Sequence, residues 1–414
     1  MRSLLFGLCL LVSSAQAQTD FSSWLAEFRQ EALAKGISQN TLDTALGGLR
    51  PAPRVIEYDT SQPESVVTFL SYLNRHVTPQ KIARGRALLI EHQALFADVE
   101  QRYGVPRQIL AAFWGMETNY GSFNGETPIP AALATLAYDG RRSAFFRAEL
   151  LDALRIIDAG DVTAENMKGS WAGAMGQMQF MPSTYRRYAV DGDGDGRVNL
   201  WTTADAVHSA GNYLSQAGWK SGQRAAIQVR LPVDFQWGTA RLFHRRPIED
   251  WKKAGVTQMS GEPLAGSASW AGIVLPQGWR GPAFMVFDNF DVIMQWNRSV
   301  SYALSVAMLA QRLVDDTSLM FNADPEPDAL SRSQMMVLQQ QLTQLGFDAG
   351  GADGLPGNKT QTAIRRYQSA HHLPIDGYAS SALFEHVQQV VAATTQLNKL
   401  EMAVPAPTFS EVVP

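Results

Sequence analysis

The stretch Leu110-Ala-Ala-Phe-Trp-Gly-Met-Glu-Thr-Asn-Tyr-Gly121 constrains the fold more than any other part of the chain. It reads as the last turns of a buried helix that ends on an acid. Pro106 suits the first helical position, where its missing N–H leaves nothing unpaired. Gly121 lies just past the end, where a left-handed residue commonly caps a helix. Leu110, Phe113 or Trp114, and Glu117 recur at helical spacing, so the carboxylate points the way the apolar side chains point. A carboxylate there is costly unless it is paired or protonated. Desolvation and the negative end of the helix dipole both raise its pKa. An acid still protonated near neutral pH is what glycosidic bond cleavage requires. On this stretch alone, the competing reading is a buried Glu paired with an Arg from elsewhere.

Met1 to Ala17 carry the three-part pattern of a secretory signal: Arg2, an apolar run from Leu4 to Val12, and the small-x-small site Ala15-Gln16-Ala17. The run is too short to span a bilayer, and no later segment is long enough. The chain's one cysteine, Cys9, sits inside that run, where it is a poor lipid acceptor. A soluble periplasmic protein without disulfides or a stable membrane anchor is expected. A formal charge of −4 over 414 residues, without basic runs, excludes nucleic acid as a partner. The 10 Trp are mostly core by default, but exposed rings among them suit flat sugar faces.

From Phe21 to Tyr103 the apolar spacing is helical, broken at Pro51 and Pro53. Helices are expected again over 131–138 and 144–157. Between them Arg141-Arg142 is either a carboxylate-holding pair or a solvated turn. The stretch from Lys168 to Tyr188 is rich in Gly, Ala and Met. Small residues let a backbone approach a ligand closely, and Gln177 and Gln179 both donate and accept as sugar hydroxyls demand. Tight packing is the plainer reading of such a turn.

Asp191-Gly-Asp-Gly-Asp-Gly-Arg-Val-Asn-Leu-Trp201 has the oxygen-rich pattern of a calcium loop. Asp191, Asp193 and Asp195 alternate, Gly196 makes the sharp turn, and the Arg197 carbonyl suits the next ligand position. Thr202 stands where a bidentate Glu is usual, and Asp205 can close the shell from a following helix. The alternative is an acidic turn with no ion. Helix is expected over 204–219, alternating β pattern from Ala225 to Val292, and helix from Trp296 to Leu313 carrying Asn297 and Tyr302. Pro325 and Pro327 among acids mark a linker, so the two flanking parts should move independently. Beyond it Leu338, Leu342 and Leu345, then Ala363, Ile364 and Tyr367, then Leu383 begin three short helices. Asp353-Gly354 and Asp376-Gly377 form a weak internal repeat ahead of the second and third.

Glu117 to Gly121, Gly169 to Pro182 and Asn199-Leu-Trp201 together resemble the lytic murein transglycosylase B family, from about Phe21 to Leu313. Leu330 to Gln388 is similar to a three-helix peptidoglycan-binding domain. The resemblance implies a mainly α fold: a lysozyme-like helical catalytic domain with a small β-rich insertion, plus a small three-helix C-terminal domain. It divides the chain into a signal peptide (1–17), a catalytic domain (18–320), a linker (321–328), a peptidoglycan-binding domain (329–390) and an unstructured tail (391–414). By resemblance the catalytic glutamate falls on Glu117. Sugar contacts fall on Ser170, Gln179, Tyr213, Asn297 and Tyr302, and stem-peptide contacts on Arg141 and Arg142. Calcium ligands fall on Asp191, Asp193, Asp195, the Arg197 carbonyl and Asp205. Trp296 stands where a phenol is often found, which removes one hydroxyl contact.

The implied activity is cleavage of the β-1,4 bond between N-acetylmuramic acid and N-acetylglucosamine, leaving 1,6-anhydro ends on a monomeric enzyme with no organic cofactor. Its partners are glycan strands and their stem peptides. Most glycoside hydrolases need two carboxylates, and no motif fixes a second beside Glu117. A hydrolytic muramidase and a non-catalytic wall-binding protein are the alternatives.

Overall fold

The computed structural model describes residues 20–60, 67–265, 270–316 and 329–403. The expected signal peptide and linker lie outside these residues. The chain forms two compact units, the first taking residues up to Thr60 with Gly125–Met175 and Phe180–Arg187, the second the remainder.

The first unit is helical. Ile129–Asp139 is apolar nearly all round, with Leu133, Ala134, Leu136 and Ala137 buried, which makes it the central helix. It turns through left-handed Gly140 into Ser143–Asp158. Phe21–Ala34 lays stacked Trp24 and Phe28 rings, 5.6 Å apart, beside them. A short antiparallel ladder pairs Thr127–Pro128 with Lys168–Gly169.

In the second unit the acid-bearing helix runs Arg107–Thr118, with Pro106 at the cap position immediately before it. Eight of its residues are buried, so it forms the centre of the unit. Val300–Val314 packs along it, as do Pro79–Glu91, Gln93–Tyr103 and Thr203–Gln216. The helix expected to start at Trp296 is two helices, Asp288–Trp296 and Val300–Val314. Ser299 makes the break, its hydroxyl accepting the Tyr302 N–H as an N-cap.

The β-rich insertion is a five-stranded antiparallel sheet. Its order is Arg246–Pro247, Trp270–Val274, Ala283–Val286, Ala226–Arg230, Thr257–Gln258. Ile273 lies opposite Met285, and both join Val229 and Trp251 in a buried cluster. The fold is thus mainly helical with small sheets, as expected.

The C-terminal helices are Arg332–Gln344, Asn358–Ala370 and Ser381–Ala403. Leu338, Leu342, Ile364, Tyr367 and Val387 form their core. The last helix runs into the stretch expected to be an unstructured tail, and only the residues after Ala403 lie outside the described ones. The internal repeat has a physical basis. Gln339 accepts the Gly354 N–H at 2.9 Å and donates to Asp353 at 3.0 Å. Gln368 does the same for Gly377 and Asp376, at 2.9 and 2.7 Å.

Candidate active site

Glu117 lies in the last turn of the Arg107–Thr118 helix, and the chain just after it is unusual. Asn119, Tyr120 and Gly121 all take left-handed backbone angles, with φ of 51°, 60° and 71°. Two of these are not glycine, a conformation that persists only where the surroundings enforce it. Here the Thr118 hydroxyl donates to the Gln177 carbonyl at 2.7 Å and accepts the Gly121 N–H at 3.0 Å. The Tyr120 ring is buried, and its hydroxyl donates to the Lys81 carbonyl at 3.0 Å. It fits because Gly85 and Gly115 lack side chains: a Cβ at Gly85 would come 2.2 Å from the Tyr120 hydroxyl. The end of the acid-bearing helix is therefore clamped by its own following residues.

Glu117 keeps part of its surface open to solvent. Burial raises its pKa from 4.5 to about 7, against hydrogen bonds from Tyr302 and Trp296 that favour the charged form. Both donors reach the same oxygen: the Trp296 indole N–H is 3.0 Å from Oε1, and the Tyr302 hydroxyl also donates to Oε1. Oε2 is thus the oxygen left to carry the exchangeable proton. Burial, then the Glu117 charge, push the Tyr302 phenol well above its ordinary value, so it stays a donor. No second carboxylate is among the groups that shift Glu117 among the described residues. Trp296, expected to remove a hydroxyl contact, supplies an indole N–H to Glu117.

Tyr213 stands with its ring 4.9 Å from Trp296 and 4.7 Å from Tyr188. Asn297 is exposed at the helix break, its Oδ1 accepting the Ser299 N–H at 3.2 Å. Gln179 adopts φ of 50° and donates to the Asn124 and Gly176 carbonyls at 3.1 and 2.9 Å, leaving Oε1 as an acceptor. Gln177 is buried and ties the loop to the Trp201 carbonyl at 2.7 Å. Sequence reasoning missed Tyr72, whose phenol is raised by burial and then by the Glu117 charge. Nothing at the Phe69–His76 helix beyond amphipathic spacing signals that Tyr72 comes within reach of the Glu117 charge.

Ser170, Arg141 and Arg142 belong to the first unit. The Ser170 hydroxyl accepts the Ala174 N–H at 3.0 Å within its own turn. Arg141 and Arg142 both pair with Asp59, Arg141 at 2.7 Å. The Asp59 side chain is only 7% exposed, so the basic pair is already occupied by a carboxylate that the sequence did not reveal.

In the acidic loop, carboxylate oxygens of Asp191, Asp193 and Asp205 lie within 4.8 Å of one another. Asp191 accepts the Gly194 and Gly196 N–H groups, and Gly196 turns at φ of 85° as expected. Asp205 comes from the first turn of Thr203–Gln216 and is buried, accepting from Gly192 and Asn199. Asp195, expected as a further ligand, is exposed and turns onto the Arg197 N–H at 2.8 Å, outside the converging three. Three converging carboxylates, one of them buried, fit a hard divalent cation with oxygen ligands.

Residues 20 to 311 match the family model described as Transglycosylase SLT domain, and residues 331 to 386 the one described as Putative peptidoglycan binding domain. The chain is 33% identical over 256 residues to membrane-bound lytic murein transglycosylase B of Escherichia coli (strain K12), covering 59% of this chain and 66% of that protein. SltB3 from Pseudomonas aeruginosa, solved in complex with NAG-anhNAM-pentapeptide, is 43% identical with a TM-score of 0.87 over 89% of this chain and 100% of that one. Escherichia coli Slt35 in complex with calcium is 30% identical with a TM-score of 0.61, over 70% of this chain and 92% of that one.

Proposed function

Since the chain belongs to the lytic transglycosylase family, we propose that Glu117 cleaves the N-acetylmuramic acid to N-acetylglucosamine bond of peptidoglycan and leaves 1,6-anhydro-muramic ends. Its homologues, the lytic murein transglycosylases, cleave peptidoglycan and form such ends. The observation that carries the residue assignment is the lone, partly buried acid whose Oε1 holds two donors. In the first step the Oε2 proton moves to the bridging oxygen, the glycosidic bond breaks, and the 2-acetamido group steadies the cation. Glu117, now ionised, takes the proton of the muramic 6-hydroxyl, whose oxygen closes on the anomeric carbon. Atoms balance without water, and one group serves as acid and then base, so a pKa near the working pH suits both steps. Trp296 and Tyr302 hold the carboxylate in one orientation through both.

Ser170, Gln179, Tyr213 and Asn297 are proposed to contact the glycan, and Arg141 and Arg142 the stem peptide in exchange with Asp59. Asp191, Asp193 and Asp205, with the Arg197 carbonyl, are proposed to hold calcium, which a homologue carries in its solved complex. The ion would tie the loop to the Thr203–Gln216 helix and takes no part in the steps above. The reaction needs no organic cofactor. We assign the chain to the periplasm as an unanchored monomer, with domain limits as read from the sequence except that the last helix continues to Ala403. The secretory pattern supports export, and no described helix is long and apolar enough to cross a membrane.

Digestion of purified sacculi, followed by mass spectrometry of the released fragments, tests the reading. Fragments one water lighter than hydrolysis products, absent with Glu117→Gln, are expected. Reducing muramic ends as the main product would make the enzyme a muramidase. An absence of released fragments would make it a binding protein.

A further inference from the structure

A cavity of about 1560 Å³ opens between the β-rich insertion, the Asp288–Trp296 helix and the Asn358–Ala370 helix. Tyr213 and Arg298 line it together with Arg365 and Arg366 of the Asn358–Ala370 helix. Arg241, from the β-rich insertion, also lines it. The Tyr213 ring on its wall lies 4.9 Å from Trp296, whose indole donates to Glu117, so the cavity reaches to within two side chains of the acid. The volume exceeds the roughly 300–1,000 Å³ of an ordinary small-ligand pocket, enough for a sugar with a peptide branch.

The charge of this cavity is unbalanced. Four guanidinium groups line it against one carboxylate, Asp291, which Arg245 already pairs at 2.8 Å. Arg241 spends one N–H on the Gly238 carbonyl at 3.0 Å, and Arg365 one on the Ala240 carbonyl at 3.2 Å. The Arg365 Nε is buried and has no partner among the described residues. Arg298 and Arg366 are exposed and make no ion pair or hydrogen bond among the described residues. Like charges gathered in a concave wall repel one another and focus a positive potential on whatever enters. Guanidinium forks match carboxylates in particular.

We propose that this cavity is a second recognition site, in which Arg298 and Arg366 bind carboxylates of a stem peptide on the glycan strand held at Glu117. The sugars of such a strand are uncharged, and its muramic lactyl group is amide-linked to the peptide, so the anionic groups within reach are those of the peptide. The site differs from Arg141 and Arg142, which already share Asp59. It makes the C-terminal helices part of substrate selection beside the active site. The inference rests on the proposed transglycosylase reading.

The test compares two soluble glycan oligomers of equal length, one with free-acid stem peptides and one with peptides removed. The full chain and the Arg298→Ala/Arg366→Ala double variant are assayed for anhydro product at low and high salt. The wild type should prefer the peptide-bearing oligomer, and added salt should weaken that preference. The double variant should raise KM for the peptide-bearing oligomer by about fivefold, two exposed charge pairs' worth, with kcat little changed. Arg298→Lys/Arg366→Lys should recover part of the loss, because charge is kept. An equal preference in wild type and double variant, with anhydro product formed by both, would overturn the inference and leave the transglycosylase reading standing. No anhydro product from the wild type on either oligomer would overturn both.

Discussion

At the residue scale, the proposed chemistry turns on how Glu117 is held. Its helix position, its apolar neighbours and its raised pKa were legible, because helical spacing shows which way a side chain points. The oxygen-by-oxygen arrangement was not, since Trp296 and Tyr302 come from a distant part of the chain. The same holds for Asp59, a partner that no local pattern ties to Arg141 and Arg142. Because the protonated acid starts the proposed reaction, kcat/KM should fall as pH rises through about 7. Trp296→Phe removes a hydrogen bond that favours the charged form, so the fall should move to higher pH by roughly one pH unit, with lower activity. An unmoved profile would separate Trp296 from the acid's titration. Stability follows the same group. A folded pKa of about 7 against an ordinary 4.5 means the native state loses stability as pH rises between those values. Glu117→Gln should therefore melt like the wild type near pH 4 and above it at pH 8, by no more than about 3 kcal/mol. A constant difference across that range would contradict the raised pKa.

At the element scale, the sequence marked the right segments but not the reasons for them. Thr118 to Gly121 looked like a helix end, and it is a strained clamp built on Tyr120 packed against Gly85 and Gly115. Gly85→Ala places a methyl group on the Tyr120 hydroxyl and the Leu313 side chain. It should destabilise the fold by about 1–3 kcal/mol in denaturant titration. An unchanged midpoint would show the clamp to be loose. The acidic loop was legible because alternate Asp residues and a turning Gly are local features. The outward turn of Asp195 onto the Arg197 N–H was not. Without a cation, Asp191, Asp193 and Asp205 repel one another, so calcium should raise the melting temperature and chelator should lower it. Equal melting of verified metal-free and calcium-loaded protein would remove the ion from the structure.

At the scale of the whole molecule, the order of parts was readable and their packing was not. The prolines near residue 325 suggested independent domains, yet the C-terminal helices lie against the β-rich insertion. Asp376 accepts the Trp279 N–H at 2.9 Å, and Arg365 donates to the Ala240 carbonyl. Composition reveals a linker but not whether the parts it joins touch. Truncation after Asp328 should lower the melting temperature of the remaining part by about 2–4 °C for each kcal/mol that this interface supplies. No change would mean the interface contributes nothing. What the whole assembly produces is decided at the anomeric carbon, by whether water or the 6-hydroxyl completes the reaction. A partly buried acid and a tethered hydroxyl favour the 6-hydroxyl by proximity. The most direct measurement is digestion of a short soluble glycan in heavy-oxygen water, with mass spectrometry of the muramic ends. The expected product is a 1,6-anhydro end that carries no heavy oxygen and is one water lighter than a hydrolysed end. Reducing ends that carry the heavy oxygen would contradict it.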